Sequence, residues 1–369
     1  MKSKKWVSIL LSLSFITVIL FGLQMFYLDP LIQYGAENGI FSYYESSELY
    51  SNPGIAKNYQ YDAVLVGSSM VENTNVSELD QLYGLTTVKL PYSGGTSYNF
   101  KTILNVCFKS NKNIKRVFWS LDEYALTTDY QTPRYPLPEY LYDFDYTNDL
   151  SYLLNLDVFY FYTTKNIINS IKGSKQKVLR DGSWVQDESV YSKTNMLKSF
   201  SYPIEEQEKK DELLYQKNLK DNLQNNIIPI IKDNPDTVFS FYMVPYSISY
   251  WYMEKCNGTL EASIYTVRTA LLELLKYDNV EVHFFQNDWQ IIENLDNYKD
   301  YTHFKPEINS YMSKAIHSGI AKLSKENVSG TLDDFYKYLI SFDYDDFFKR
   351  ELSSTQEYYD ISFFSSSRL

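Results

Sequence analysis

The chain is poor in the residues that build metal centres and disulfide frameworks. Two cysteines, Cys107 and Cys256, cannot staple 369 residues into a fold, although a single bond between them stays open. Three histidines, His283, His303 and His317, leave little for a metal site, so neither a metal nor an organic cofactor is expected. Positive charge is also scarce. Against 46 Asp+Glu stand 35 Lys+Arg, a net charge of −11 that repels phosphate backbones and argues against a nucleic-acid partner. Proline, at 11 residues, is too rare and the apolar share, at 44%, too high for wholesale disorder. Long apolar runs number one, at residues 6–28. What the chain has in excess is aromatic: 36 Tyr and 22 Phe suit a dense core or a sugar-facing surface, and the core is the simpler reading.

The run at 6–28 carries no charged side chain. At about 1.5 Å per residue it can cross a hydrocarbon layer ~30 Å thick as a helix. Lys2, Lys4 and Lys5 precede it and Asp29 follows, so the charge bias puts the N-terminus in the cytosol and the remainder outside the cell membrane. A cleaved signal peptide would have a shorter apolar core and a small-residue cleavage site, and no such site follows Leu28. The expected organisation is a cytosolic N-terminus at 1–5, a single-pass anchor at 6–28, a stem at 29–60, an extracytoplasmic domain at 61–323 and a C-terminal helical extension and tail at 324–369.

Within the stem, Asn52-Pro53-Gly54 reads as a turn. After it, short apolar runs at 61–66, 85–90, 116–121, 237–244 and 280–285 read as strands, the first of them buried and parallel. Helical spacing lies between them. Phe100, Ile103, Leu104, Cys107 and Phe108 form one apolar stripe, 260–277 another, and Pro306 opens a further helix as a first-turn proline. Strands alternating with helices predict an α/β fold, a three-layer α/β/α sandwich around a central parallel sheet of about five strands. Residues 125–203 break the rhythm and read as an insertion after the third strand, a lid or a partner surface.

Ligand sites in such sheets lie beyond the carboxyl ends of the strands, here the loops at Ser69, Gly94, Asp122, Tyr246 and the segment after Phe285. There the first strand ends in Gly67-Ser68-Ser69, which presents a serine hydroxyl on a turn whose amides can face a developing oxyanion. The more specific signal is Asp300-Tyr301-Thr302-His303, just before Pro306. At that spacing a carboxylate can accept from one ring nitrogen while the other faces a hydroxyl, which supplies base and orienter together. His283, inside an apolar strand, and His317, on the last clear helix, read as structural. Asn75, Asn257 and Asn327 fit the glycosylation pattern that an Asn-rich chain produces by chance.

These residues resemble the SGNH/GDSL hydrolase superfamily over about 61–323. Gly67-Ser68-Ser69 is similar to its first block, with Ser69 in the nucleophile's place. Gly94, in Ser93-Gly94-Gly95-Thr96, is similar to its second, and Asp300 with His303 matches its last. The resemblance implies a catalytic Ser69, His303 and Asp300, with an oxyanion hole formed by the amides of Ser69 and Gly94. Together with the anchor it is similar to the branch that handles acyl groups on cell-surface polymers, which includes the D-alanyl-transfer protein of lipoteichoic acid synthesis and the alginate and peptidoglycan O-acetylation proteins. That branch implies a cell-envelope glycopolymer or acyl donor as substrate and a multi-pass membrane O-acyltransferase as partner. The third block departs from the pattern: Asp122 stands where Asn is expected. An ionised Asp would repel an oxyanion, and three readings stay open: burial keeps it protonated, it serves another role, or the hole rests on the two amides. A non-catalytic assembly or polymer-binding protein of the same fold is the rival from another class, and a plain envelope esterase or lipase using water is a third.

Overall fold

The computed structural model describes residues 2–35, 47–172, 190–199, 202, 204–208 and 212–354. One sheet of six strands runs through it in the order β2-β1-β3-β4-β5-β6. The strands are β1 Ala63–Gly67, β2 Thr87–Pro91, β3 Arg116–Leu121, β4 Val238–Met243, β5 Val280–Phe284 and β6 Lys322–Leu323. The first five pair in parallel, and β6 joins the edge antiparallel through Val282 and His283. A two-residue strand leaves no periodicity to read, which is why the sequence predicts five. β1 and β2 are buried along their whole length; β1 accordingly reads as a continuous apolar run, whereas β2 carries the buried Thr87 and Lys89.

Helices lie on both faces of the sheet. On one, Trp119 and Phe241 pack together at 5.2 Å between ring centroids, and helix Ser97–Ser110 sets Phe100 against Trp119 and Phe108 against Phe239. On the other, Leu65, Phe118 and Tyr242 meet Leu79 of helix Val76–Tyr83 and Met312 and Ile316 of helix Pro306–Ser318. Much of the aromatic excess is therefore core, and edge-to-face pairs of this kind add to what area burial alone contributes.

The stem departs from its sequence reading. Asn52, Pro53 and Gly54 are not a turn but the buried middle of helix Glu48–Asn58. The reason is tertiary: a Cβ at position 54 would lie 2.0 Å from the Leu31 carbonyl oxygen, so glycine is what lets the 31–32 backbone cross the helix. Asn58 Nδ2 then donates to Ile32 O at 2.6 Å and Asn52 Nδ2 to Pro91 O at 2.6 Å, which fastens the stem to the sheet.

Ahead of the stem stands helix Lys2–Leu28, long and apolar enough to cross a membrane, with no part of its most apolar window buried in the protein. The described part of the segment predicted as an insertion includes the short helices Glu139–Tyr142, Leu150–Leu153, Leu156–Val158 and Thr164–Ile171, with a wider π turn at Phe159–Thr163, while 173–189 lie outside the described residues. Helix Val328–Ser341 docks through Phe335, which packs edge-on against Trp251 and Phe284. The tail beyond 354 lies outside the described residues. Cys107 and Cys256 are both buried and free, so the bond left open by the sequence is not formed.

Candidate active site

Gly67 ends β1 where a side chain would not fit: a Cβ there would meet Val71 Cγ1 at 2.6 Å and Ser120 Cβ at 2.8 Å. The chain can turn tightly against β3 only with glycine, and it does so into the short 3-10 turn Ser69–Val71. Lys89 of β2 secures the far side of that turn. Its buried ammonium donates to Glu72 O at 2.6 Å and Thr74 O at 3.0 Å, fixing both carbonyls in place.

Ser69 Oγ lies 2.8 Å from His303 Nε2, across 234 residues of sequence. His303 belongs to a tight loop closed by a bridge between Tyr298 and Phe304 and by Lys299 N donating to His303 O at 3.0 Å. Ser247 Oγ pins the same loop by donating to Tyr301 O at 2.7 Å. The other ring nitrogen, Nδ1, is 2.8 Å from Asp300 Oδ2 and 3.0 Å from Oδ1. A carboxylate facing Nδ1 selects the tautomer protonated there, which leaves Nε2 free to accept from the Ser69 hydroxyl.

Asp300 is itself held still. Its Oδ1 accepts from the His303 amide at 2.8 Å and the Thr302 amide at 3.0 Å. Burial alone would raise its pKa; the hydrogen bond and charge of His303, with the two amides, outweigh it and bring the carboxyl down to about 2. The Asp300 and His303 side chains each keep a quarter of their surface exposed, so this chain of three groups ends at solvent rather than in packed aliphatics.

Gly94 sits three residues past β2, whose end is tied to β1 by Tyr92 N donating to Gly67 O at 2.9 Å. It adopts φ +63°, and Gly95 N closes the turn onto Tyr92 O at 2.7 Å. Arg134, from the insertion, lies over it, with Nε 3.2 Å from where a Gly94 Cβ would stand. On the same rim Ser93 Oγ donates to Glu72 Oε1 at 2.6 Å.

Asp122 directly follows β3, the strand on the other side of β1, and is buried. Tyr246 donates its hydroxyl to Oδ1, and Ser68 also lies against the carboxyl. Burial raises its pKa above the usual carboxylate value, against the pull of Tyr246, Ser68 and His303. Burial thus acts in the direction of the first of the three readings, a carboxyl that stays neutral to higher pH than in water.

The structure thus brings Ser69, His303 and Asp300 together and sets Gly94 and Asp122 on the strand ends flanking them. It leaves the other histidines elsewhere. His283 is buried in β5 with Nδ1 3.2 Å from Ile320 O, and His317 packs edge-on against Tyr83. Sequence reasoning placed the Tyr246 loop at the strand ends without giving Tyr246 a role, and it missed Lys89 and Arg134. Lys89 left a signal, as the one charge in an apolar run; Arg134 and Tyr246 act across long stretches of chain. Among the described residues no cluster of three His, Cys, Asp or Glu could hold a metal ion. Asn75 and Asn327, matched to the glycosylation pattern, spend their side-chain oxygens on local caps to Ser77 and Ser324. No family model, curated protein or solved structure matches this chain.

Proposed function

We propose that this chain is a membrane-anchored serine acyl-esterase or O-acyltransferase of the SGNH type, with the α/β/α layering of that superfamily, which modifies a cell-envelope glycopolymer. The observation that carries the reading is the continuous relay from Ser69 through His303 to Asp300, 2.8 Å at each step. In the first half-reaction Ser69 Oγ attacks an acyl ester or thioester carbonyl while its proton passes to His303 Nε2. The amides of Ser69 and Gly94 receive the negative charge on the carbonyl oxygen. Collapse expels the leaving group, which takes the proton from His303, and an acyl-serine remains. In the second half-reaction His303 removes the proton of a sugar or polyol hydroxyl, that oxygen takes the acyl group from Ser69, and the departing Ser69 Oγ recovers the proton from His303.

Asp300 does not give up a proton in this scheme; it fixes the ring tautomer and balances the imidazolium. Asp122, in its neutral form, supplies an O–H where the resemblance would place an Asn amide, so the substitution costs less than an ionised group would. The helix Lys2–Leu28 anchors the chain, with the N-terminus cytosolic and the body outside. A multi-pass membrane O-acyltransferase is the partner that would deliver acyl groups.

The test is labelling by a fluorophosphonate together with hydrolysis of p-nitrophenyl acetate. Both are expected in the native chain and both should fall in Ser69→Ala, the hydrolysis by a factor on the order of 10³–10⁶. Equal labelling of the two proteins would dismiss the assignment. One observation favours a second reading, a non-catalytic assembly or polymer-binding protein: the buried carboxyl of Asp122 at the third-block position. That reading predicts no labelling of the native chain at all. Hydrolysis unaltered by an added oligosaccharide acceptor would instead indicate a plain esterase.

A further inference from the structure

The short helices at 150–171 are fastened to the apolar N-terminal helix at a particular height. Phe159 packs edge-on against Phe21 at 5.4 Å, and Leu154 Cδ2 lies 3.5 Å from the Cβ position of Gly22. Thr163 lies against Met25, its Oγ1 3.9 Å from the sulfur. Below these contacts a polar collar locks the junction. Tyr152 OH donates to Asp29 Oδ1 at 2.8 Å and accepts from Leu31 N at 3.2 Å, and Tyr34 OH donates to Asp149 Oδ2 at 2.8 Å.

With Trp6 at one edge of a hydrocarbon layer, ~20 helical residues reach the other edge near Met25. Phe21 and Gly22 then lie inside the layer, and whatever touches them sits at its boundary. What touches them carries an unpartnered apolar side. Val158, Thr163 and Asn166 face the protein, whereas Leu156, Tyr160 and Ile171 are 70%, 67% and 80% exposed, with Phe161, Ile167 and Ile168 exposed beside them. These six exposed apolar residues lie along one continuous helical path that includes the π turn at 159–163, with Asp157 and Lys165 as the exposed charges beside them. An acidic chain of net charge −11 gains no general attraction to an anionic lipid surface, so contact by apolar insertion is what would hold it there.

We propose that this exposed apolar surface, at 156–171, lies in the lipid–water boundary of the leaflet on the domain's side, as a second attachment next to the membrane-spanning helix. The inference rests on reading Lys2–Leu28 as spanning a bilayer and extends it to a separate surface. It commits to lipid as the occupant because the surface is continuous with side chains already at hydrocarbon depth.

The experiment uses the full chain in phosphatidylcholine vesicles with an environment-sensitive NBD label on single introduced cysteines, the native Cys107 and Cys256 being buried. Tyr160→Cys and Ile171→Cys test the surface, Leu13→Cys reports the anchor and Ile320→Cys an exposed aliphatic position on the sheet's far end. Labels at 160 and 171 should emit to the blue of the label at 320. Spin-labelled lipid should quench them about twofold or more, with the label at 320 unaffected. Emission and quenching at 160 and 171 equal to those at 320, with 13 quenched, would overturn the proposal and leave the anchor standing. Blue emission without lipid quenching would overturn it in favour of a protein neighbour. A label at 13 that lipid cannot quench would remove the membrane reading itself.

Discussion

At the scale of single residues, the candidate site depends on which proton sits where. Asp300→Asn preserves the shape but offers an amide where Nδ1–H needs an anion, so the ring loses its preferred tautomer. Esterase turnover should fall by a factor on the order of 10²–10⁴ with the fold intact, measured as kcat on p-nitrophenyl acetate beside a circular dichroism spectrum. Asp122 predicts the opposite kind of outcome. Its raised pKa means that ionisation sets in at higher pH than for an exposed Asp. Activity that uses the neutral acid should decline as pH rises through that ionisation, and Asp122→Asn should remove the decline while keeping the rate at lower pH. Superimposable pH profiles for the two proteins would show that Asp122 takes no part.

At the scale of elements, local and non-local signals separate cleanly. Asp300 and His303 meet because three residues of one loop bring them together, a relation written in the spacing itself. The apolar runs at 61–66 and 116–121 announce strands for the same reason. Pro53-Gly54 misleads because its conformation is decided by Leu31, more than twenty residues upstream, and no local pattern carries that. The Tyr246 hydroxyl on Asp122 and the attachment of 150–171 to Phe21 and Met25 are likewise contacts between distant segments. Gly54 gives a measurable form of this contrast. In an open helix Gly→Ala stabilises by roughly 0.5–1 kcal/mol, but here the added methyl would overlap the Leu31 carbonyl. Gly54→Ala should therefore destabilise, by about 1–3 kcal/mol, and lower the Tm in a thermal melt. A raised Tm would mean that the 31–32 segment can move away at no cost.

At the scale of the whole molecule, two carboxyl groups with opposite environments bound the pH range of stability. Glu281 links three strands, with Oε2 2.7 Å from Arg116 of β3 and Oε1 2.8 Å from Lys322 of β6. Burial would raise its pKa, but the hydrogen bonds and charges of Lys322 and Arg116 bring it down to about 2. A lowered pKa contributes stability that is present above the ordinary value of 4.5 and lost as pH falls from there towards 2. Glu123 is the reverse: burial, then the charge of Glu254, raise its pKa. Its contribution is complete below the ordinary carboxylate range and is lost as pH rises towards its folded value. Glu281→Gln should thus flatten the acid side of a plot of Tm against pH, and Glu123→Gln should lift the alkaline side. Unchanged slopes in both variants would assign the pH dependence to other groups.

The crossing of Leu31 over Gly54 has one more effect. Helix Glu48–Asn58 carries Gly54 against the stem at its middle and, six residues earlier, sets Glu48 Oε2 2.5 Å from the amide of Ser93 on the reactive rim. Those six residues measure only about 9 Å along the axis. If Lys2–Leu28 spans a bilayer and Ser69 is the proposed nucleophile, this packed helix would hold the serine on a short stiff strut instead of a flexible leash. Substrates would then be sampled by lateral diffusion within a thin slab next to the lipid, and a polymer strand that extends far outward would be reached only near its root.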